Sequence, residues 1–128
     1  YLFRKKLAMP RPHNVLIPAI INAVNMGYRK IYLWGAENNQ FLSLSVDENN
    51  HALISQKHFY DHETKRKGIM KRAGIGRRRV HEILHKFMVT FEAYHTLNDY
   101  AESRDSRVIN QTPNSMIDAF ERENRYSD

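Results

Sequence analysis

At 128 residues, 41% of them hydrophobic, the chain is long enough for one domain with a buried core. It has no cysteine, which excludes disulfides and thiolate metal sites. A net charge of +6 and a pI near 9.7 favour an anionic partner such as a nucleotide, a nucleic acid or a membrane surface.

Residues 1–13 are basic and carry Pro10 and Pro12, so they read as the tail of an earlier element and an extended connector. The stretch Asn14 to Glu37 organises the rest of the chain. Asn14 is placed to cap a helix, Pro18 sits where first-turn N–H groups have no helical partner, and Gly27 is placed to end the helix in a left-handed conformation. Val15, Leu16, Ile17, Ala19, Ile20, Ile21, Ala23, Val24 and Met26 cover most of the circumference, which predicts a buried helix. This apolar run is too short to span a bilayer, and no secretory signal pattern opens the sequence, so the cytoplasm is the expected location. Lys30 to Trp34 is a β-rich run stopped by Gly35, with Glu37 just beyond it.

Phe41, Leu42, Leu44 and Val46 alternate imperfectly up to a polar turn at 47–50, and His51 to Ile54 is expected to pair back as a hairpin. Lys57 to Glu63 mixes histidines, aromatics and charges in the manner of a loop. Residues 65–77 are strongly basic and contain Gly68, Gly74 and Gly76, which predicts a mobile basic loop or lid. A long helix is expected from about Arg78 to Ser103, with Val80, Ile83, Leu84, Phe87, Met88, Phe91, Tyr94, His95 and Tyr100 at helical spacing. Arg107 to Asn110 is a second short strand, and Ser115 is placed to cap a final helix containing Met116, Ile117 and Phe120.

His81-Glu82-Ile83-Leu84-His85 matches the zinc-protease pattern H-E-x-x-H. On an unbroken helix the later acid Glu102 would lie roughly 25 Å along the axis from His85, out of reach of the same ion. No metal site is expected. Gly74-Ile75-Gly76 follows no strand and is read as hinge rather than nucleotide fingerprint. The basic cluster 65–79 has no interleaved aromatics, which argues against a base-stacking surface and so against nucleic acid.

Three blocks resemble the bacterial sialyltransferases that decorate lipo-oligosaccharide. They are Gly27-Tyr28-Arg29-Lys30-Ile31-Tyr32-Leu33 followed by Gly35-Ala36-Glu37, then His58-Phe59-Tyr60-Asp61-His62, then Pro113-Asn114-Ser115-Met116-Ile117-Asp118-Ala119-Phe120. The first block and the Asn-x-Thr-Pro ending are also similar to the 6-hydroxymethylpterin pyrophosphokinases of the MptE-like family. The resemblance implies a Rossmann-like, metal-independent glycosyltransferase without a resident cofactor. Its partners would be a CMP-type nucleotide-sugar donor and a surface-polysaccharide or lipo-oligosaccharide acceptor. His62 matches the general base, with His58 as its rival, and Asn14, Glu37, Asn39, Tyr60, Asn114 and Ser115 fall at the family's substrate-binding positions. The family's tyrosine beside the departing phosphate is Asn39 here, its second tyrosine falls near Ser45, and its nucleotide-contacting serine is Val15.

The expected fold is α/β: the carboxyl-terminal half of a Rossmann-like domain, fragment of a larger one, with parallel strands at 30–34 and 107–110 and the long helix as a right-handed crossover. The alternatives are a pyrophosphokinase-like phosphate-transfer enzyme and a non-catalytic nucleotide-binding domain. A homo-oligomer and a peripheral attachment to the inner face of the membrane through the basic segment complete the expectations.

Overall fold

The computed structural model describes residues 5, 8–55, 66–68, 71–72 and 76–123. In chain order the elements are α1 (Leu16–Asn25), β1 (Lys30–Leu33), a 3-10 turn (Gln40–Ser43), β2 (Ser45–Val46), β3 (Ala52–Ser55), β4 (Arg66–Gly68), β5 (Lys71–Arg72), β6 (Gly76–Arg77), α2 (Val80–Glu102) and β7 (Arg107–Asn110). They form two compact units, residues 1–37 with 88–128 and residues 38–87, so α2 contributes its first two turns to one and the rest to the other.

The first unit is built from two copies of one local device. Pro18 has no N–H to offer the Asn14 carbonyl, so helical bonding begins with Ala19 N–H donating to Val15 O at 3.2 Å. Asn14 supplies the missing support: its Oδ1 accepts from Ile17 N–H at 3.3 Å. At the other end Gly27 takes φ 89°, Tyr28 N–H donates to Ala23 O (3.3 Å) and Gly27 N–H to Val24 O (3.0 Å), a Schellman motif that leads straight into β1. α2 ends the same way. Asp105 takes φ 53°, Ser106 N–H donates to Ala101 O (2.9 Å), Asp105 N–H donates to Glu102 O (3.0 Å), and β7 follows at once.

β1 and β7 pair in parallel, Lys30 with Arg107 through Leu33 with Asn110. The α/β class, the parallel pair and the long helix between its strands are as expected, with β1 ending one residue earlier, at Leu33. Ile17, Ile20, Ile21 and Val24 of α1 pack with Ala93, Tyr94, Leu97, Tyr100 and Ala101 of α2, with Leu33 and Val108, and with Ile117 and Phe120. Tyr94 lies fully buried at the centre, its ring edge-on to Phe120 at 5.7 Å and its hydroxyl accepting from Asn14 Nδ2 at 2.6 Å. Tyr100 Oη–H donates to Asn25 Oδ1 at 2.7 Å, so tyrosines of α2 hold both ends of α1.

Two expectations fail here. α1 is buried on one face only: Val15 is 83% exposed and Met26 72%, and with Ala19 and Asn22 they form the outward stripe at i, i+4, i+7 and i+11. The final helix is absent. After the turn at Pro113–Asn114 the backbone forms no helix and bends at 119–120, because Ile117 and Phe120 insert into the core while Glu121 bridges to β7 in parallel with Ile109, its carbonyl accepting from Asn110 N–H at 2.8 Å. Arg107 Nε donates to Glu121 Oε2 at 3.0 Å and its second nitrogen to Oε1.

In the second unit β2, β3 and β4 form an antiparallel sheet, so the expected hairpin exists with a 3-10 turn in place of half its first strand. Asp47 makes its turn. Oδ1 accepts from His51 N–H (2.7 Å) and Asn49 N–H (3.0 Å), and the backbone bond from His51 is the main reason its carboxyl titrates below the ordinary aspartate range. Val80 and Phe87 join buried Ile83 and Ala52, with Leu44 and Ile54, in this unit's small core. The described part of the segment read as a loop, 65–77, is paired strand: β4 on β3, and β5 with β6. Among the described residues no helix is long and apolar enough to cross a membrane.

Asn14→Ala should lower stability by about 1–2 kcal/mol in urea unfolding, because it removes both the Ile17 acceptor and the bond to Tyr94; Asn14→Asp, which keeps the acceptor, should lose less. Glu121 gives a pH signature. Its hydrogen bond from Arg107 holds the carboxyl below the ordinary glutamate range. With the folded value below the unfolded one, the pair stabilises fully above the ordinary range and is lost as pH falls through the folded value. Protection of the 119–122 amides, taken relative to their intrinsic exchange at each pH, should therefore fall on acidification in the wild type, and Glu121→Gln should remove that fall in protection.

Candidate functional site at the carboxyl edge of the parallel strands

Parallel strands end on the same side, so the chain leaves β1 and β7 side by side, and this edge is where ligands bind in open α/β sheets. A helix that turns through a few residues into a strand runs back along it, so the start of α1, with Asn14, lies toward the same edge.

The two exit loops are pinned together. Gln111 N–H donates to Leu33 O (3.0 Å), Ala36 N–H to Thr112 Oγ1 (3.0 Å), Ser115 Oγ–H to Ala36 O (2.6 Å) and Met116 N–H to Glu37 O (2.8 Å). Beneath them Asn110, only 2% exposed, uses both ends of its amide. Oδ1 accepts from Thr112 N–H (3.0 Å), and Nδ2 donates to Ser115 Oγ (2.9 Å) and Ile117 O (3.4 Å). Arg122 closes the loop from outside, donating to Thr112 O (3.1 Å) and Ser115 O (2.8 Å). Asn114, at φ 55°, makes the left-handed corner that the Pro-Asn-Ser turn needs.

This arrangement sorts the residues marked from sequence. Glu37 is tied by its backbone carbonyl while its side chain is exposed beside the strand end, and Asn114 is likewise exposed. Ser115 sits in the same loop, but its one donor and two acceptor positions are filled by Ala36, Asn110 and Ile117 N–H (3.2 Å), which makes it a positioning residue. Asn14 is held by Tyr94 and Ile17. Asn39 belongs to the second unit, where its carbonyl accepts from Leu42 N–H at 3.0 Å. His58, Tyr60 and His62 lie outside the described residues.

Sequence reasoning missed Asn110, Thr112 and Arg122. The signal for the first two was present, since Asn-x-Thr-Pro directly after a strand is a turn motif whose side chains bond local backbone. Gln111 Nε2 adds a buried donor without a hydrogen-bond partner among the described residues.

The H-E-x-x-H stretch has a structural explanation. Glu82 Oε2 accepts from Arg79 N–H at 2.7 Å, the reciprocal half of a capping box, so the glutamate secures the start of α2. His81 and His85 are exposed on that helix, and among the described residues no three His, Asp or Glu side chains converge as metal ligands.

Comparison with known protein families, curated proteins and solved structures finds no match for this chain.

Thr112→Val keeps the shape and removes the acceptor for Ala36 N–H. It should cost about 1–3 kcal/mol and speed exchange of the Ala36 amide, measured by urea unfolding and hydrogen exchange.

Proposed function

We propose that this chain is the carboxyl-terminal half of a Rossmann-like glycosyltransferase domain, transferring a sugar from a CMP-type donor to a lipo-oligosaccharide or other surface-polysaccharide acceptor. The supporting observation is the pair of exit loops, locked to each other by Ser115 and Thr112, with the Glu37 carboxylate and the Asn114 amide exposed beside the strand ends. A carboxylate there can accept from a ribose hydroxyl, and an edge held this rigidly loses little freedom when a nucleotide binds. The resemblance of the three sequence blocks supports reading the reaction as glycosyl transfer. In it, His62 takes the proton of the acceptor hydroxyl as that oxygen bonds to the anomeric carbon, and the bond to the phosphate oxygen breaks to release CMP. An imidazole with an intrinsic pKa of about 6.5 suits that step.

Calorimetric titration of the full-length protein with CMP, a CMP-sugar and ATP tests the donor class. CMP and the CMP-sugar should bind, and Glu37→Gln should weaken both. Binding of ATP together with a pterin, without CMP, would transfer the assignment to a pyrophosphokinase. His62→Ala should reduce turnover by about 10²- to 10⁴-fold with little change in CMP affinity, and the pH–rate profile should lose its acidic limb. Full activity in that variant, with loss in His58→Ala, would move the base to His58.

A further inference from the structure

The two outer edges of the parallel pair differ. On β7 the edge is closed: Asn110 N–H donates to Glu121 O at 2.8 Å, and Glu121 bridges to Ile109. On β1 it is open. Arg107 N–H donates to Arg29 O and Gln111 N–H to Leu33 O, so the odd-numbered residues turn their backbone groups toward β7. The N–H and C=O of Lys30 and Tyr32 therefore point the other way, and among the described residues no further strand meets them. Exposure follows the same division. Val108, Ile109 and Asn110 of β7 are buried, whereas Lys30 and Tyr32 of β1 are exposed. Their side chains alternate with those of Ile31 and Leu33, which pack on the core, so they lie on the sheet face away from it. Such an edge is a template for another strand, and two strands are few for a parallel sheet.

The edge complements itself. When a second β1 lies antiparallel to the first about a two-fold axis at Ile31, Lys30 of each copy falls opposite Tyr32 of the other. These are the residues whose N–H and C=O are turned outward, so each such pair exchanges both of its N–H···O=C bonds. The side chains agree with that register. The Lys30 ammonium comes opposite the Tyr32 ring, an attractive neighbour for a cation, and Ile31 meets Ile31. An axis at Lys30 would set ammonium against ammonium, which is destabilising. Lys30 thus selects a register, and β1 carries no other charge to oppose the pairing.

We infer that the outward edge of β1 is the pairing surface of a symmetric homodimer, in which two copies join edge to edge into one sheet in the order β7-β1-β1-β7. The carboxyl ends of the two parallel pairs then point in opposite directions, so each copy keeps its own candidate site. The inference goes beyond the proposed function and does not depend on it.

Sedimentation equilibrium and hydrogen exchange of the full-length protein test it. The protein should sediment as a dimer that dissociates on dilution. In the monomer the Lys30 and Tyr32 amides should exchange fast while those of Ile31 and Leu33 stay protected by β7; in the dimer all of them should be slow. Tyr32→Lys sets lysine opposite Lys30 of the second copy and removes the ring, so the dimer should weaken on the order of 10- to 100-fold. Leu42→Lys, a charge added at an exposed position of the second unit, should dimerise like the wild type. Circular dichroism melts should show both variants folded; if Tyr32→Lys does not fold, the exchange of the wild-type amides decides alone. A monomer at every concentration, or equal weakening by Leu42→Lys, would overturn the inference. So would protection of the Lys30 and Tyr32 amides in the monomer, which would mean that another segment of the protein covers the edge. CMP titration of Tyr32→Lys should be unchanged, which keeps this outcome separate from that of the catalytic edge.

Discussion

The parallel pairing of β1 with β7 is the constraint on which the first unit rests. Two strands of four residues cannot hold themselves, and parallel strands need cover from helices. The chain solves this by preceding each strand with a helix that ends in a left-handed residue, Gly27 in one case and Asp105 in the other. The tight exit lays each helix back against its own strand, and burial of Ile17, Ile20, Ile21 and Val24 against Tyr94 and Leu97 then joins the two copies. The ladder is fastened beyond its ends, by Arg107 N–H to Arg29 O before the strands and by Gln111 N–H to Leu33 O after them.

From that geometry the edge follows. Both chains leave the strands together, and the polar residues at the exits bond to each other instead of to water. Asn110 does this from below and Arg122 from outside. The side chains that a ligand could meet, Glu37 and Asn114, are thus carried on backbone whose position is fixed by groups that make no ligand contact themselves. Such division of labour suits binding, because the supporting shell determines how precisely the contacting groups are held.

Much of this was legible in the residues. Apolar spacing, Gly27 and the β-branched and aromatic run at 30–33 set α1 and β1, and a strand at 107–110 was readable from Val108 and Ile109. What escaped is instructive. Val15 and Met26 look like core by composition, yet a helix on one side of two short strands has only one face to bury. In α2 the buried stripe includes Thr90, Ala93 and Ala101, small residues that carry little hydrophobic signal, while Leu84 and Met88 in the predicted stripe are about half exposed. The absent last helix is a case of tertiary pairing overriding local propensity: the bridge to β7 and the Arg107–Glu121 contact claim the segment. At the edge, Glu37 and Asn114 were readable as strand-end positions. The role of Ser115 was not, because only the bonds to Asn110 and Ala36 reveal that its hydroxyl is fully engaged.

The spacing of the two helix-strand copies has a consequence for folding and for divergence. Each copy is local and can form early, whereas joining them brings together Arg29 and Asp105 across 76 residues of sequence. The second unit lies within that interval. The entropy of closing such an interval grows only with the logarithm of its length, about 0.6 kcal/mol for a doubling. The first unit therefore imposes almost no limit on how long the intervening segment is, and descendants of this chain can lengthen or replace it while the parallel pair closes as before.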